Sequence, residues 1–257
     1  MPSRHSRAEI NAFSRIRKAE ESYARQLRQV ARAVGHFVRG LFPNGEPAHA
    51  DALTQLQAGL AGYAETITPW AEAVANRMLA DVAQRDERAW AKLGDTMVRA
   101  LHREVTQTPL GSIVRQRLAD QVFLIKSLPL EAAQRVQALT VRQYLEGGRS
   151  TEIIDEILAS GEVAATRATL IARTETGRTA FEFTRARAER VGSEGYTWMA
   201  VNDRDTRPRH LQLHGTFHRW NDPPVASERG QKVMKYHAGS GPNCRCWPSP
   251  LVADYIA

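Results

Sequence analysis

Two pairs of side chains near the C-terminal end of this 257-residue chain have metal-ligand chemistry at a workable spacing. His210 and His214 are four apart, which on a helix places both imidazoles on one face, one turn apart. Cys244 and Cys246 are two apart, which on an extended segment turns both thiols to one side. If that helix packs across that segment, two imidazoles and two thiolates converge as a closed tetrahedron, the ligand set of structural zinc. Asp203 or His218 is placed to substitute for one member. A small module with few apolar residues gains folding energy from such a staple. The competing reading is plainer. CxC is a weaker signal than CxxC, a cysteine often serves as a small buried hydrophobe, and a histidine ending a short helix often caps carbonyls.

A second set overlaps the first. Asp203, Arg207, His210 and Arg245 hold the acid, the base and the cations of a metal-independent phosphodiester-cleaving site. The structural alternative has Asp203 and Arg207 pairing across a turn to lock it. No nucleophile or second base is evident, so no catalytic residue is assigned and a non-enzymatic role is expected. Arg173 and Glu175, in IARTETGRTAFEF, read as architectural contacts reaching this module from a long helix.

These residues need a scaffold. After Gly195 the apolar period changes from helical to alternating: Tyr196, Trp198 and Ala200 mark a strand. Asn202-Asp203 turns the chain, Thr206 is placed to cap a short helix over 207–214, and Gly215 ends it. Residues 216–220 read as a second strand, the next 20 or so as a long loop, and Asn243 to Trp247 as a last extended segment before Pro248 and Pro250. Upstream the pattern is amphipathic helix. One helix spans 6–42, with Phe13, Ile16, Tyr23, Leu27, Val30, Val34, Phe37 and Leu41 as its stripe. Others span 48–67 and 68–105, the latter with Met97 and Leu101 inward. A boundary falls at 106–111. Helices at 112–127 and 130–145 are separated by a break at Pro129, and Gly147-Gly148 ends the second. Ser150 caps a helix over 151–159, and a longer one follows over 163–191 with Gly177 inside it. His36, His49 and His102 stand alone as surface histidines. The expected class is α+β: a helical bundle or docking region at 1–108, then a second domain at 109–257 made of helices over 112–191 and a compact module over 195–250.

Composition narrows the classes further. With 42% hydrophobic and 25% charged residues the chain is globular rather than disordered. No apolar run approaches the roughly 20 residues a membrane span needs, and the charged N-terminus lacks a secretory core, so a reducing cytoplasm is the expected setting. A net charge of +7 favours polyanions, DNA above all. Yet the arginines are scattered among glutamates with no tight patch.

The order of elements (IARTETGR at 171–178, WMAVNDRDTRPRHLQLHG at 198–215, GPNCRC at 241–246) resembles the phage head morphogenesis family, the minor head proteins similar to protein F of phage Mu. The likeness covers about 112–250. The residues marked in that family fall here on Arg173, Thr174, Glu175, Asp203, Arg207, His210, Gly215, Asn243, Cys244 and Cys246. The resemblance implies a minor capsid component of a tailed phage or prophage, present in few copies and acting with the portal in prohead assembly. It further implies a major capsid or scaffold protein as neighbour and contact with packaged double-stranded DNA. The location it implies is the capsid interior or portal vertex, reached from the host cytoplasm. The family transfers no settled enzymatic activity.

Overall fold

A computed structural model describes residues 16–94, 103, 107–145, 151–228 and 230–252. Among them the helices are α1 (Arg17–Leu41), α2 (Ala52–Thr66), α3 (Thr68–Gly94), α4 (Gly111–Leu145), α5 (Thr151–Leu158), α6 (Ser160–Arg190) and α7 (Pro208–Leu213). The strands are β1 (Gly195–Met199), β2 (Phe217–Arg219) and β3 (Trp247–Leu251). The class is α+β. Phe13, Met97, Leu101, Gly147, Gly148 and Ser150, which carried helical or capping expectations, and His102, expected at the surface, lie outside the described residues.

The chain forms two compact units, Glu21–Asn76 with Leu118–Ala172, and Met1–Glu20 with Arg77–Arg117 and Arg173–Ala257. Each draws on chain from both sides of residue 108. The first is helical. Its core takes Ala31, Val34, Val38 and Phe42 from the first helix and the residue beyond it, and Leu56 and Leu60 from α2. Val136 and Leu139 of α4 and Ile153 and Ile157 of α5 complete it. Phe37 and Leu41, expected in the stripe, pack only from its flank; Val38 and Phe42 take the inward positions, at 0% exposure. Tyr23 donates its hydroxyl to Gln121 Oε1 at 3.0 Å, keeping a buried amide satisfied. His36 and His49 are exposed.

One expectation here is corrected. Pro129 does not break the chain into two helices, because α4 runs unbroken through it for 35 residues. A proline removes one ladder bond and crowds the preceding turn, a cost of roughly 3 kcal/mol. Ile125, Leu128, Ala132 and Val136 are all buried around it, and their packing outweighs the local preference.

The second unit holds the sheet. Its strand order is β2-β1-β3, antiparallel throughout. Tyr196 and Trp198 of β1 point into a core with Trp90, Phe181, Val191, Leu213 and Trp220. The last strand is not 243–247 but Trp247–Leu251, and it includes both prolines. Pro250 and Pro248 face Tyr196 and Trp198 across the ladder. Since Trp198 directs its N–H to Thr216 on the β2 side, the positions opposite it and Tyr196 on β3 turn their backbone outward. Proline therefore loses no ladder bond there. The long loop is partly ordered by a bridge between Val225 and Lys235.

Gly177 of α6 marks a close approach. A Cβ there would lie 2.5 Å from the carbonyl oxygen of Gly239. Gly177→Ala is expected to destabilise by about 1–2 kcal/mol, because overpacking outweighs the roughly 1 kcal/mol gain in helix propensity. Urea midpoints measure this; a stabilised variant would contradict the contact.

Candidate functional site

The site is assembled from three stretches of the second unit: the Arg173–Arg190 part of α6, the turn into α7, and residues 236–246. The helix supplies the anchors. Arg173 donates to Asn243 Oδ1 at 2.7 Å and to Glu20 Oε1 at 2.9 Å. Thr174 Oγ1 accepts the Asn243 N–H at 2.9 Å. Asn243 sits at φ 55°, a left-handed conformation asparagine tolerates better than most residues, and these two bonds hold it. Glu175 is 4% exposed and takes ion pairs from Arg117 at 3.4 Å and Arg178 at 2.9 Å. Arg178 in turn donates to the Ser240 carbonyl at 2.8 Å. Arg173 thus reaches the module directly, and Glu175 through Arg178.

Asp203 and Arg245 form a forked ion pair. Arg245 Nη2 donates to Asp203 Oδ1 at 2.7 Å, and its Nη1 pairs with Oδ2. Thr206 Oγ1 donates to Asp203 Oδ1 at 2.9 Å, and the Asp205 N–H gives that oxygen a third bond at 3.2 Å. The Arg245 fork chiefly holds the Asp203 carboxyl below the ordinary carboxylate range. Two expectations change here. Asp203 pairs with Arg245, not with Arg207, whose guanidinium donates to the Pro242 carbonyl at 2.9 Å. Thr206 belongs to the Asp203 turn; α7 is preceded by Arg207 with no side-chain cap and has Pro208 in its first turn.

His210, Cys244 and Cys246 do converge. All three are buried, and their donor atoms lie within 4.8 Å of one another. His210 Nδ1 is 3.7 Å from Cys244 Sγ and 3.4 Å from Cys246 Sγ. Bonds of about 2.3 Å to sulfur and about 2.0 Å to nitrogen at tetrahedral angles separate N from S by about 3.5 Å, so the spacing fits a shared metal ion. Both cysteines are free thiols. Cys246 hydrogen-bonds to the Cys244 sulfur, and with His210 it brings the Cys244 thiol well below its ordinary pKa despite burial. The same partnership and burial push Cys246 up.

The fourth expected ligand does not join. His214 lies past the end of α7, with ψ 128°, and its Nδ1 accepts the Ala200 N–H at 3.1 Å. The chain leaves the helix at Leu213 because Gly215, at φ 78°, turns it into pairing with β1. Four-residue spacing aligns two imidazoles only while the helix continues, and here it stops one residue short. His218 also stays apart, 2.8 Å from the Thr216 hydroxyl. Among the described residues the group able to hold a metal is His210, Cys244 and Cys246.

Tyr236 completes the arrangement. Its hydroxyl donates to the Ala226 carbonyl at 3.0 Å and lies 3.0 Å from His210 Nε2. With the phenol proton committed to Ala226, the phenol oxygen accepts from Nε2–H, so Nδ1 keeps its lone pair toward the two sulfurs. Sequence spacing offered no sign of Tyr236 beyond its being an aromatic in an otherwise polar loop. Trp198 packs edge-on to His210, with ring centroids 5.3 Å apart.

Residues 134–248 match the family described as Phage Mu protein F like protein. No curated protein and no solved structure matches the chain.

Proposed function

We propose that this chain, whose residues 134–248 belong to the Phage Mu protein F like family, is a minor capsid component acting with the portal in prohead assembly. The family match supports a phage head morphogenesis protein in general terms; the portal, a capsid or scaffold neighbour, and packaged DNA are the specific partners of this reading. Its main support is how the module's polar residues are engaged. Asp203 with Arg245, Arg173 with Asn243, and Glu175 with Arg178 hold one another, as suits a rigid body that is gripped. His210 has Tyr236 at one ring nitrogen and the thiols near the other, which leaves no free base paired with Asp203. A net charge of +7 supports contact with DNA. No helix among the described residues is long and apolar enough to cross a membrane, in keeping with a place in the virion, at the capsid interior or portal vertex.

Co-expression with the portal protein tests this. The chain is expected to co-purify with it and to be present in proheads. Absence from proheads together with failure to bind portal sinks the reading. DNA or RNA cleavage by the purified chain, lost in a folded His210→Ala variant, replaces it with a nuclease.

The reading includes zinc on His210 Nδ1 and the two cysteine sulfurs, a donor set that suits zinc better than magnesium or calcium. When bound, zinc supplies a cross-link between α7 and the 244–246 segment. About one zinc per chain is expected in protein purified without a metal-binding tag, with a lower melting temperature after chelation. Elemental analysis finding no zinc in protein kept free of chelators contradicts it.

A further inference from the structure

We infer that the metal centre is an open one, completed by a carboxylate from outside this chain. The inference rests on the zinc reading above and goes beyond a closed structural staple. Three protein donors are one short of a tetrahedron, and structural zinc sites normally supply all four themselves. His214, which would close the set, is held elsewhere by the Ala200 N–H. The three ligand residues also line a cavity of about 280 Å³, shared with Arg173, Arg207 and Arg245. The position left by His214 is thus supplied by whatever enters that cavity.

The lining selects the entrant. Three guanidinium groups border the cavity against one carboxylate, Asp205. Arg245 is neutralised by Asp203 and Arg173 by Glu20. Arg207 bonds a carbonyl oxygen at Pro242, which leaves its positive charge uncompensated by that contact. Asp205 is itself paired with Arg204 at 3.7 Å, and two thiolates with one neutral imidazole bring a divalent ion to zero net charge, so the Arg207 cation remains and favours a monoanion. Carboxylate oxygen is an ordinary zinc ligand, and its second oxygen suits a guanidinium fork. Free carboxylic acids and acidic protein side chains share this chemistry.

Cobalt(II) substituted into the full chain reports the coordination sphere through its visible ligand-field bands. Titration with acetate, and separately with side-chain-ionised N-acetylglutamic acid α-amide, is expected to shift those bands saturably. Tighter binding of the blocked glutamate assigns the ligand to a protein side chain; tighter binding of acetate assigns it to a free acid. Arg207→Gln, with cobalt content checked, is expected to weaken carboxylate binding about tenfold. A loaded centre whose bands ignore both carboxylates overturns the open site and leaves the zinc reading standing. A response that appears only in Asp205→Asn also overturns it, since Asp205 then fills the position. Phosphate shifting the bands where carboxylates do not overturns the choice of ligand. Failure to take up cobalt or zinc at all removes the metal reading itself.

Discussion

Trp198→Ala is expected to lower the unfolding free energy by about 3–5 kcal/mol, the usual cost of emptying a large aromatic site in a packed core. Trp198 is fully buried, at 0% exposure, on the central strand of the sheet. Neighbouring strands flank it on both sides, so the backbone has little freedom to close the void. The indole also backs the His210 ring, so its loss frees that imidazole to leave the thiols. On the zinc reading, metal affinity is therefore expected to fall together with stability. Trp198→Phe keeps an aromatic in place and is expected to lose far less of both. Chemical denaturation with zinc titration measures the pair. A loss under about 1 kcal/mol for the alanine variant would mean that the site collapses freely.

Arg187→Met is expected to cost a similar amount, about 3–5 kcal/mol near pH 8, because it strands a buried carboxylate. Asp86 is 5% exposed, accepts from Arg187 Nη1 at 2.7 Å and from the Thr184 hydroxyl at 2.5 Å. Burial nevertheless pushes its carboxyl up to about 6, against the pull of Arg187. The direction fixes the pH dependence. A carboxyl whose folded pKa lies above its unfolded value contributes fully at pH below the unfolded value. That contribution is lost as pH rises through the folded one. Removing Arg187 raises the folded value further. The variant's deficit should therefore be largest at pH 8 and shrink toward pH 4, where Asp86 is neutral. Urea midpoints at pH 4.5, 6 and 8 check this, and adding Asp86→Asn should recover much of the loss. A deficit constant across that range would show that lost packing, not stranded charge, is responsible.

What could be read from the chain alone was whatever depends on short spacing. Tyr196, Trp198 and Ala200 announce a buried strand face, and all three are buried. The CxC pair puts two thiols on one side, and His210 meets them. What could not be read depends on where distant segments go. Arg207 is four residues from Asp203 and looks like its partner, but Arg245, 42 residues away, brings the better fork. His214 looks like a ligand until the chain is seen to leave α7 for the sheet. Pro129 signals a break that burial overrides. Tyr236 sets the histidine tautomer from a loop whose path only the Val225–Lys235 bridge reveals.

The two prolines of β3 set the character of the sheet's edge. Their positions turn nitrogen atoms without hydrogen toward the open rim of the sheet, while the opposite rim, β2, is only three residues long. A strand from a neighbouring molecule would find almost no donors to register against. At high local concentration this fold therefore resists accidental strand-to-strand fusion. A protein that binds this sheet must recognise it by side-chain shape and charge.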